Sequence, residues 1–282
     1  MTTTNPAAPA APLAPPDLAR IAKTVATKLP FRGDVTGLTP LAGDASNRRY
    51  FRVALKGKPS ALILMQLADP EGFKKSEEAV SGASVQIAEL PFTNVLAHLQ
   101  RTGVTVPQLH YYDREAGLLY LEDFGDLTLA EACRDADRAR LVSLYRQAID
   151  QLVLLQVKGT QPPAPGCIAF HRRFDVSLLM WEFDHFLEYG IAARLGQPMK
   201  PADDAAVRAA FQRIAELLAG QPQVFVHRDY HSRNLMVDGA RLGIIDFQDA
   251  LMGPATYDLA SLLKDAYIEL DDAVVDGLVD HF

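Results

Sequence analysis

Val226-His227-Arg228-Asp229-Tyr230-His231-Ser232-Arg233-Asn234-Leu235-Met236 is followed a few residues later by Ile244-Ile245-Asp246-Phe247. An Asp stands five residues before an Asn, and a second Asp lies seventeen residues after the first. Apolar residues flank each polar group. Transfer of a phosphoryl group from a nucleotide needs this set. One carboxylate, Asp229, takes the proton of an acceptor hydroxyl, while the amide oxygen of Asn234 and the carboxylate of Asp246 hold Mg²⁺ against the phosphates. Asp and Asn also close turns and cap helices, but three of them at these offsets point to chemistry. The spacing predicts a loop turning sharply between two short strands, with both carboxylates at the mouth of one cleft.

The elements that must hold this loop can be read in chain order. Leu18, Ile21, Val25 and Leu29 share a helical face, so residues 18–29 read as a short helix. Val35–Leu41, Tyr50–Leu55 and Ser60–Leu67 have strand texture, punctuated by Gly43 and Gly57 as in a meander. Phe92, Val95, Leu96 and Leu99 predict a helix ending before Gly103. Two further strands fall near Gln108–Asp113 and Leu118–Leu121. Beyond Glu122-Asp123-Phe124-Gly125-Asp126 the chain turns helical. Leu141, Leu144, Tyr145, Ala148, Leu152 and Leu155 form one apolar stripe, and Phe211, Ile214, Leu217 and Leu218 another. Between them lie a Pro-rich connector at 161–166 and a helix over Asp175–Tyr189. Strands first and helices afterwards predict an α+β, two-lobed fold.

Composition narrows the function classes. The 282 residues are 49% hydrophobic and 22% charged, as in an ordinary soluble globular protein. No apolar run approaches the ~18 residues of a membrane span, so no membrane partner is expected. Cys133 and Cys167 show neither metal-ligand nor disulfide spacing, which fits a reducing cytoplasm. Residues 1–17, rich in Pro and Ala, read as a disordered leader without the pattern of a signal peptide. The net charge of −7 arises after residue 127, where 22 acidic residues face 15 basic ones. That distribution argues against nucleic acid as a partner, because a phosphate-backbone binder usually presents a basic face.

The motif set resembles that of the aminoglycoside phosphotransferase and choline kinase family, small-molecule relatives of protein kinases. Within it, Gly43-Asp44-Ala45-Ser46-Asn47-Arg48-Arg49-Tyr50-Phe51, Asp246-Phe247-Gln248-Asp249-Ala250 and Gly253-Pro254-Ala255-Thr256-Tyr257-Asp258-Leu259-Ala260 are similar to bacterial anomeric kinases of N-acetylmuramate and N-acetylglucosamine. The likeness covers roughly residues 35–270. It implies a protein-kinase-like fold, with a β-rich N-lobe over 18–121, a hinge over 122–127 and a helical C-lobe over 128–282. It also implies ATP as co-substrate with Mg²⁺, an amino sugar as acceptor, and a place in cell-wall recycling. Relatives usually continue through further helices, whereas this chain stops 24 residues past Asp258. Either the lobe is abridged or the sequence is a fragment.

The resemblance also assigns residues. Ser46 and Asn47 lie in the turn that covers the phosphates, and backbone groups of Glu122 and Phe124 meet the adenine edge. Met65 falls where most of the superfamily places a phosphate-binding lysine; Arg48, Arg49, Arg52, Lys74 and Lys75 are candidates for that charge, and nothing in the sequence chooses among them. His227 is expected to be structural, and Asp258 to fix the catalytic loop by hydrogen bonds. Acceptor candidates are Glu182, Asp184 and His185 on the 175–189 helix, Arg172 and Arg173 before it, and Gln248 and Asp249 beyond the metal ligand. Carboxylates and amides suit sugar hydroxyls, and an arginine suits a lactyl carboxylate. Trp181 could stack on a sugar ring or belong to the core. Two alternatives stand beside the sugar kinase: a phosphotransferase for an aminoglycoside or amino alcohol, and a nucleotide-binding pseudokinase, for which the missing strand lysine speaks.

Overall fold

The computed structural model of the chain describes residues 14–41, 48–67 and 89–282. Ser46 and Asn47, and the pair Lys74 and Lys75, lie outside the described residues. The chain divides into two compact units: Met1–Phe73 with Gln108–Asp123, and Lys74–Pro107 with Phe124–Phe282.

In the first unit, helix α1 (Leu18–Lys28) packs on an antiparallel sheet. Asp17 caps α1, its carboxylate accepting the Ala19 N–H at 2.9 Å. The sheet comprises β1 (Asp34–Pro40), β2 (Arg48–Lys56), β3 (Ala61–Leu67), β4 (Leu109–Asp113) and β5 (Leu118–Leu121), in the order β1-β2-β3-β5-β4. Alternation along β2 sends Phe51, Val53 and Leu55 towards Ile21, Val25 and Leu29 of α1, where Leu62, Leu64 and Tyr120 complete the core. Arg20 of α1 grips Asp113 at the end of β4 with two hydrogen bonds, of 2.7 and 2.9 Å. Of the leader expected over 1–17, the structure describes residues 14–17. Pro16 is buried, and the Ala14 carbonyl accepts from buried Gln66 Nε2 at 3.1 Å, so residues 14–17 belong to the ordered unit.

In the second unit, α2 (Pro91–Thr102) opens with Pro at its first position and ends at Gly103, whose φ of 80° suits a residue without a Cβ. The sequence places this helix in the N-terminal lobe; its contacts put it in the second unit instead, against α4. A capping box between Thr128 and Glu131 starts α3 (Leu129–Arg134). The long α4 (Arg138–Thr160) buries Leu144, Tyr145, Ala148, Ile149, Leu152 and Leu155. Next comes α5 (Val176–His185), which runs on as a π-helical stretch, Phe186–Ala192, and then α6 (Pro201–Ala219). Phe183 of α5 stacks on Phe211 of α6 with centroids 4.2 Å apart. Four short strands follow: β6 (Gln223–Val226), β7 (Leu235–Asp238), β8 (Arg241–Ile244) and β9 (Leu251–Pro254). β6 pairs with β9 and β7 with β8, both antiparallel. Helices α7 (Thr256–Leu263) and α8 (Asp272–Val279) close the described chain. Among the described residues no helix is long and apolar enough to cross a membrane.

Candidate active site

The polar loop leaves β6 at Val226 and enters β7 at Leu235, so its two ends are fixed by different strand pairs. Its middle is pinned by Tyr230, fully buried, whose hydroxyl donates to the Ala148 carbonyl of α4 at 2.8 Å. Asp258 on α7, also fully buried, accepts the N–H of His227 at 2.7 Å and of Arg228 at 3.0 Å. Arg228 has a φ of 83°, a left-handed conformation that non-glycine residues adopt at a cost of about 1–3 kcal/mol. The two bonds to Asp258 offset that strain. Burial pushes the Asp258 carboxyl up to about 7, against the pull of these same N–H groups.

His227 connects the loop to the second carboxylate segment. Its Nδ1 accepts the Asp229 N–H at 3.2 Å and its Nε2 meets the Ile245 carbonyl at 2.8 Å, which together select the tautomer protonated on Nε2. Burial lowers its pKa and keeps the ring neutral. This is the structural role expected from the sequence.

Asn234 donates from Nδ2 to the Asp229 carbonyl at 3.0 Å, and its own carbonyl accepts the Ile245 N–H at 3.0 Å. With its amide nitrogen committed to the loop, Asn234 has its Oδ1 to offer a cation. Asp246 has a φ of 64°, the second left-handed non-glycine residue among those described. Gln248, 1% exposed, donates from Nε2 to Asp246 Oδ1 and to Asp249 Oδ2, both at 3.1 Å. Behind Asp246, Phe247 stacks on Phe92 of α2 with centroids 5.1 Å apart.

Among the described residues no three His, Cys, Asp or Glu side chains gather around a possible cation. An amide oxygen and one carboxylate suit Mg²⁺, which takes few protein ligands and completes its shell with phosphates and water. Although solvent reaches Asp229, the dense protein around it raises its carboxyl above the usual range. Asp246 and Asp249 add to that rise, while His227 and Arg228 oppose it. A raised carboxylate accepts a proton more readily.

A family model described as phosphotransferase enzyme family matches residues 37–282, the span that contains both this loop and Asp246. The chain belongs to the phosphotransferase enzyme family. It is 34% identical to an N-acetylmuramate/N-acetylglucosamine kinase of Pseudomonas putida over 85% of this chain and 63% of that protein. A Pseudomonas aeruginosa protein of the same name is 31% identical over 87% of this chain and 64% of its own length. The chain therefore spans less than two thirds of these relatives. Among solved structures, ADP-bound aminoglycoside phosphotransferase APH(2'')-Ib superposes with a TM-score of 0.59 at 13% identity, covering 93% of this chain and 81% of that one. At that identity the likeness is one of fold, and it agrees with the α+β, kinase-like architecture expected from the sequence.

In this member of the family the other expected site residues lie as follows. Glu182 on α5 is bound to Arg228 Nη2 at 2.7 Å, one residue before Asp229. His185, on the same helix, touches the Trp181 ring with centroids 3.9 Å apart, and Trp181 is 42% exposed and so outside the core. Asp184 pairs with Arg208 of α6. Arg172 is not presented at the surface as an anion-binding residue would be. It is 2% exposed, and its Nη1 donates to the Gln248 carbonyl at 3.0 Å, bracing the Asp246 segment. Asp249 shares Gln248 with Asp246.

At the expected hinge, the Glu122 N–H is engaged by the Gln108 carbonyl at 2.8 Å, so that donor does not face a ligand. Phe124 is buried, its ring pressed on Gly243 of β8, where a Cβ would lie 2.4 Å from a ring carbon. Met65 is fully buried in the sheet.

The sequence reading missed two supports. Gln248 was grouped with acceptor candidates, whereas it holds two carboxylates. Asp265 accepts the Ser232 N–H at 2.9 Å, with its other oxygen taking the N–H groups of Tyr267 and Ile268. Nothing in the local pattern distinguishes Asp265 from any turn aspartate.

Proposed function

We propose that this chain carries an ATP-dependent kinase activity that phosphorylates the anomeric hydroxyl of N-acetylmuramate or N-acetylglucosamine, in the cytoplasm, in recycling of the cell wall. One observation carries the kinase reading: Asn234 closes the catalytic loop on the carbonyl of Asp229 while the same residue's backbone binds Ile245, next to Asp246. The three groups needed for phosphoryl transfer thus belong to one hydrogen-bonded assembly. The choice of acceptor is supported by the relatives named for these two sugars.

Asp229 accepts a hydrogen bond from the acceptor hydroxyl, orients it towards the γ-phosphorus and takes its proton as the bond to phosphorus forms. An anomeric hydroxyl is more acidic than an ordinary alcohol, so a carboxylate of modestly raised pKa suffices. Asn234 Oδ1 and the Asp246 carboxylate hold Mg²⁺, which supplies charge neutralisation on the phosphates when bound. Arg228 and Asp258 set the loop conformation and touch no substrate. Most of the acceleration comes from positioning and electrostatics.

The test is MgATP consumption by the full chain with N-acetylmuramate, N-acetylglucosamine, an aminoglycoside and choline as acceptors. Turnover with the two N-acetylated sugars is expected. Turnover with the aminoglycoside or choline alone would replace the acceptor, and nucleotide binding with no turnover on any acceptor would favour a regulatory module.

A further inference from the structure

Asn234 offers a cation a neutral amide oxygen, which attracts through its dipole alone. Mg²⁺ demands near-octahedral geometry at about 2.0–2.1 Å, so such a ligand counts only where its direction is fixed. Loss of a group that orients a metal ligand typically costs about 10–100-fold in metal affinity. What fixes Asn234 is therefore a functional question.

Asn234 closes a four-residue turn, its N–H donating to the His231 carbonyl at 2.9 Å. Ser232 and Arg233 are the central residues of that turn, and both are held by the segment that leaves α7. Asp265 Oδ2 accepts the Ser232 N–H at 2.9 Å, and Ser232 is fully buried. The guanidinium of Arg233 lies 3.8 Å from the centre of the Tyr267 ring, inside the ~6 Å reach of a cation–π contact. The same ring meets the His231 imidazole edge to face, with centroids 5.3 Å apart. His231 Nε2 in turn lies 3.4 Å from Asn234 Nδ2. Asp265 is itself set by Oδ1, which accepts the N–H groups of Tyr267 at 2.8 Å and Ile268 at 2.9 Å. The Ser232 carbonyl is fixed as well, by the Ala130 N–H of α3 at 3.0 Å.

The α7 segment thus carries one carboxylate for each end of the loop. Asp258, on the helix, takes the N–H groups of His227 and Arg228, just ahead of Asp229. Asp265, just past the helix end, takes that of Ser232, just ahead of Asn234. We propose that Asp265, together with Tyr267, is the positioning residue for the cation ligand Asn234, and so sets how strongly this chain holds Mg²⁺ on its nucleotide. The proposal rests on the kinase reading, in which Asn234 Oδ1 binds that cation. Asp265 and Tyr267 act through the turn between them and Asn234.

The experiment measures the calorimetric affinity of the full chain for ATP, once with Mg²⁺ and once with EDTA. The EDTA value reports the nucleotide pocket and the integrity of the fold, and the ratio of the two reports the contribution of Mg²⁺. Asp265→Asn keeps an oxygen for the Tyr267 and Ile268 N–H groups but sets an N–H against that of Ser232. It is expected to lose about 10-fold or more of the Mg²⁺ enhancement, with affinity in EDTA unchanged. Tyr267→Leu should lose part of it, and Tyr267→Phe, which keeps the ring, should retain the wild-type value. Without metal, the Ser232 N–H of Asp265→Asn should exchange with deuterium faster than in wild type. A full Mg²⁺ enhancement alongside faster Ser232 exchange overturns the assignment, as does exchange at the wild-type rate. An equal fall in both affinities also overturns it, since the role is then one of general stability. A wild-type chain that binds ATP under neither condition overturns the kinase reading itself.

Discussion

The Asp258 carboxylate takes the main-chain N–H groups of two consecutive residues, His227 at 2.7 Å and Arg228 at 3.0 Å. Both oxygens are used, and the residue lies fully buried on α7. The bonds hold Arg228 in its left-handed conformation and thereby set the direction in which the next side chain, Asp229, leaves the backbone. Removing them frees the strain and leaves two buried donors without acceptors. Asp258→Ala is expected to cost about 2–4 kcal/mol in urea unfolding, on the scale of ~1–3 kcal/mol for each orphaned group. Turnover should fall as well, and Asp258→Asn, which keeps one acceptor oxygen, should fall between. A variant as stable and as active as wild type would show that the loop holds its shape without α7.

Glu182 offers a second test of the same loop. Its carboxylate, expected to meet the acceptor, instead binds Arg228, and the two side chains are 34% and 11% exposed. A half-buried pair falls between surface pairs, worth ~0–1 kcal/mol, and buried ones, whose rupture costs ~3–5 kcal/mol. A double-mutant cycle of Glu182→Gln with Arg228→Met should give a stability coupling of about 1–2 kcal/mol. Zero coupling would return Glu182 to the list of acceptor ligands.

The edge of the first unit should respond to acid. Hydrogen bonds from Arg20 hold the Asp113 carboxyl below its usual range. A carboxyl lowered by folding stabilises the fold above its unfolded pKa, and that contribution disappears as pH falls through the folded value. The melting temperature of wild type should therefore exceed that of Arg20→Met at neutral pH. The gap should close as the pH drops below about 4. A gap that persists in acid would mean that Arg20 acts through packing and not through charge.

Truncation tests the contact made by Ala14. Removing residues 1–16 takes away the Ala14 carbonyl and leaves buried Gln66 Nε2 without its acceptor. This deletion should cost about 1–2 kcal/mol more than deletion of residues 1–13. Equal stabilities would assign the Gln66 bond no value.

Much of this was legible in the sequence, for reasons that vary by residue. Strict alternation in β2 and the spacing of Ile21 and Val25 in α1 report burial on one face, so the first unit was readable. The backbone links among Asp229, Asn234 and Ile245, next to Asp246, follow the offsets that drew attention to these residues in the sequence. The structural roles of His227 and Asp258 came from the family resemblance, and both side chains are fully buried. The burial of Arg172 was not legible: a long cation in a polar stretch reads as exposed, and only the fold shows it buried against the Gln248 carbonyl. Pro-Ala composition gives no sign of the buried Pro16 or of the Ala14 carbonyl that accepts from Gln66. Which β2 arginines share a face with Met65 depends on register, and register is a property of paired strands.

Phosphorus NMR of the reaction product tests the central claim most directly. Purified chain with MgATP and N-acetylmuramate or N-acetylglucosamine should yield a sugar phosphate whose phosphorus signal is a doublet, split by the anomeric proton. The Asp229→Asn variant should bind MgATP nearly as wild type does and form that product at least ~100-fold more slowly, the scale of a positioned proton acceptor. Phosphate found on another hydroxyl, or an Asp229→Asn variant that forms the anomeric phosphate at the wild-type rate, would contradict the account.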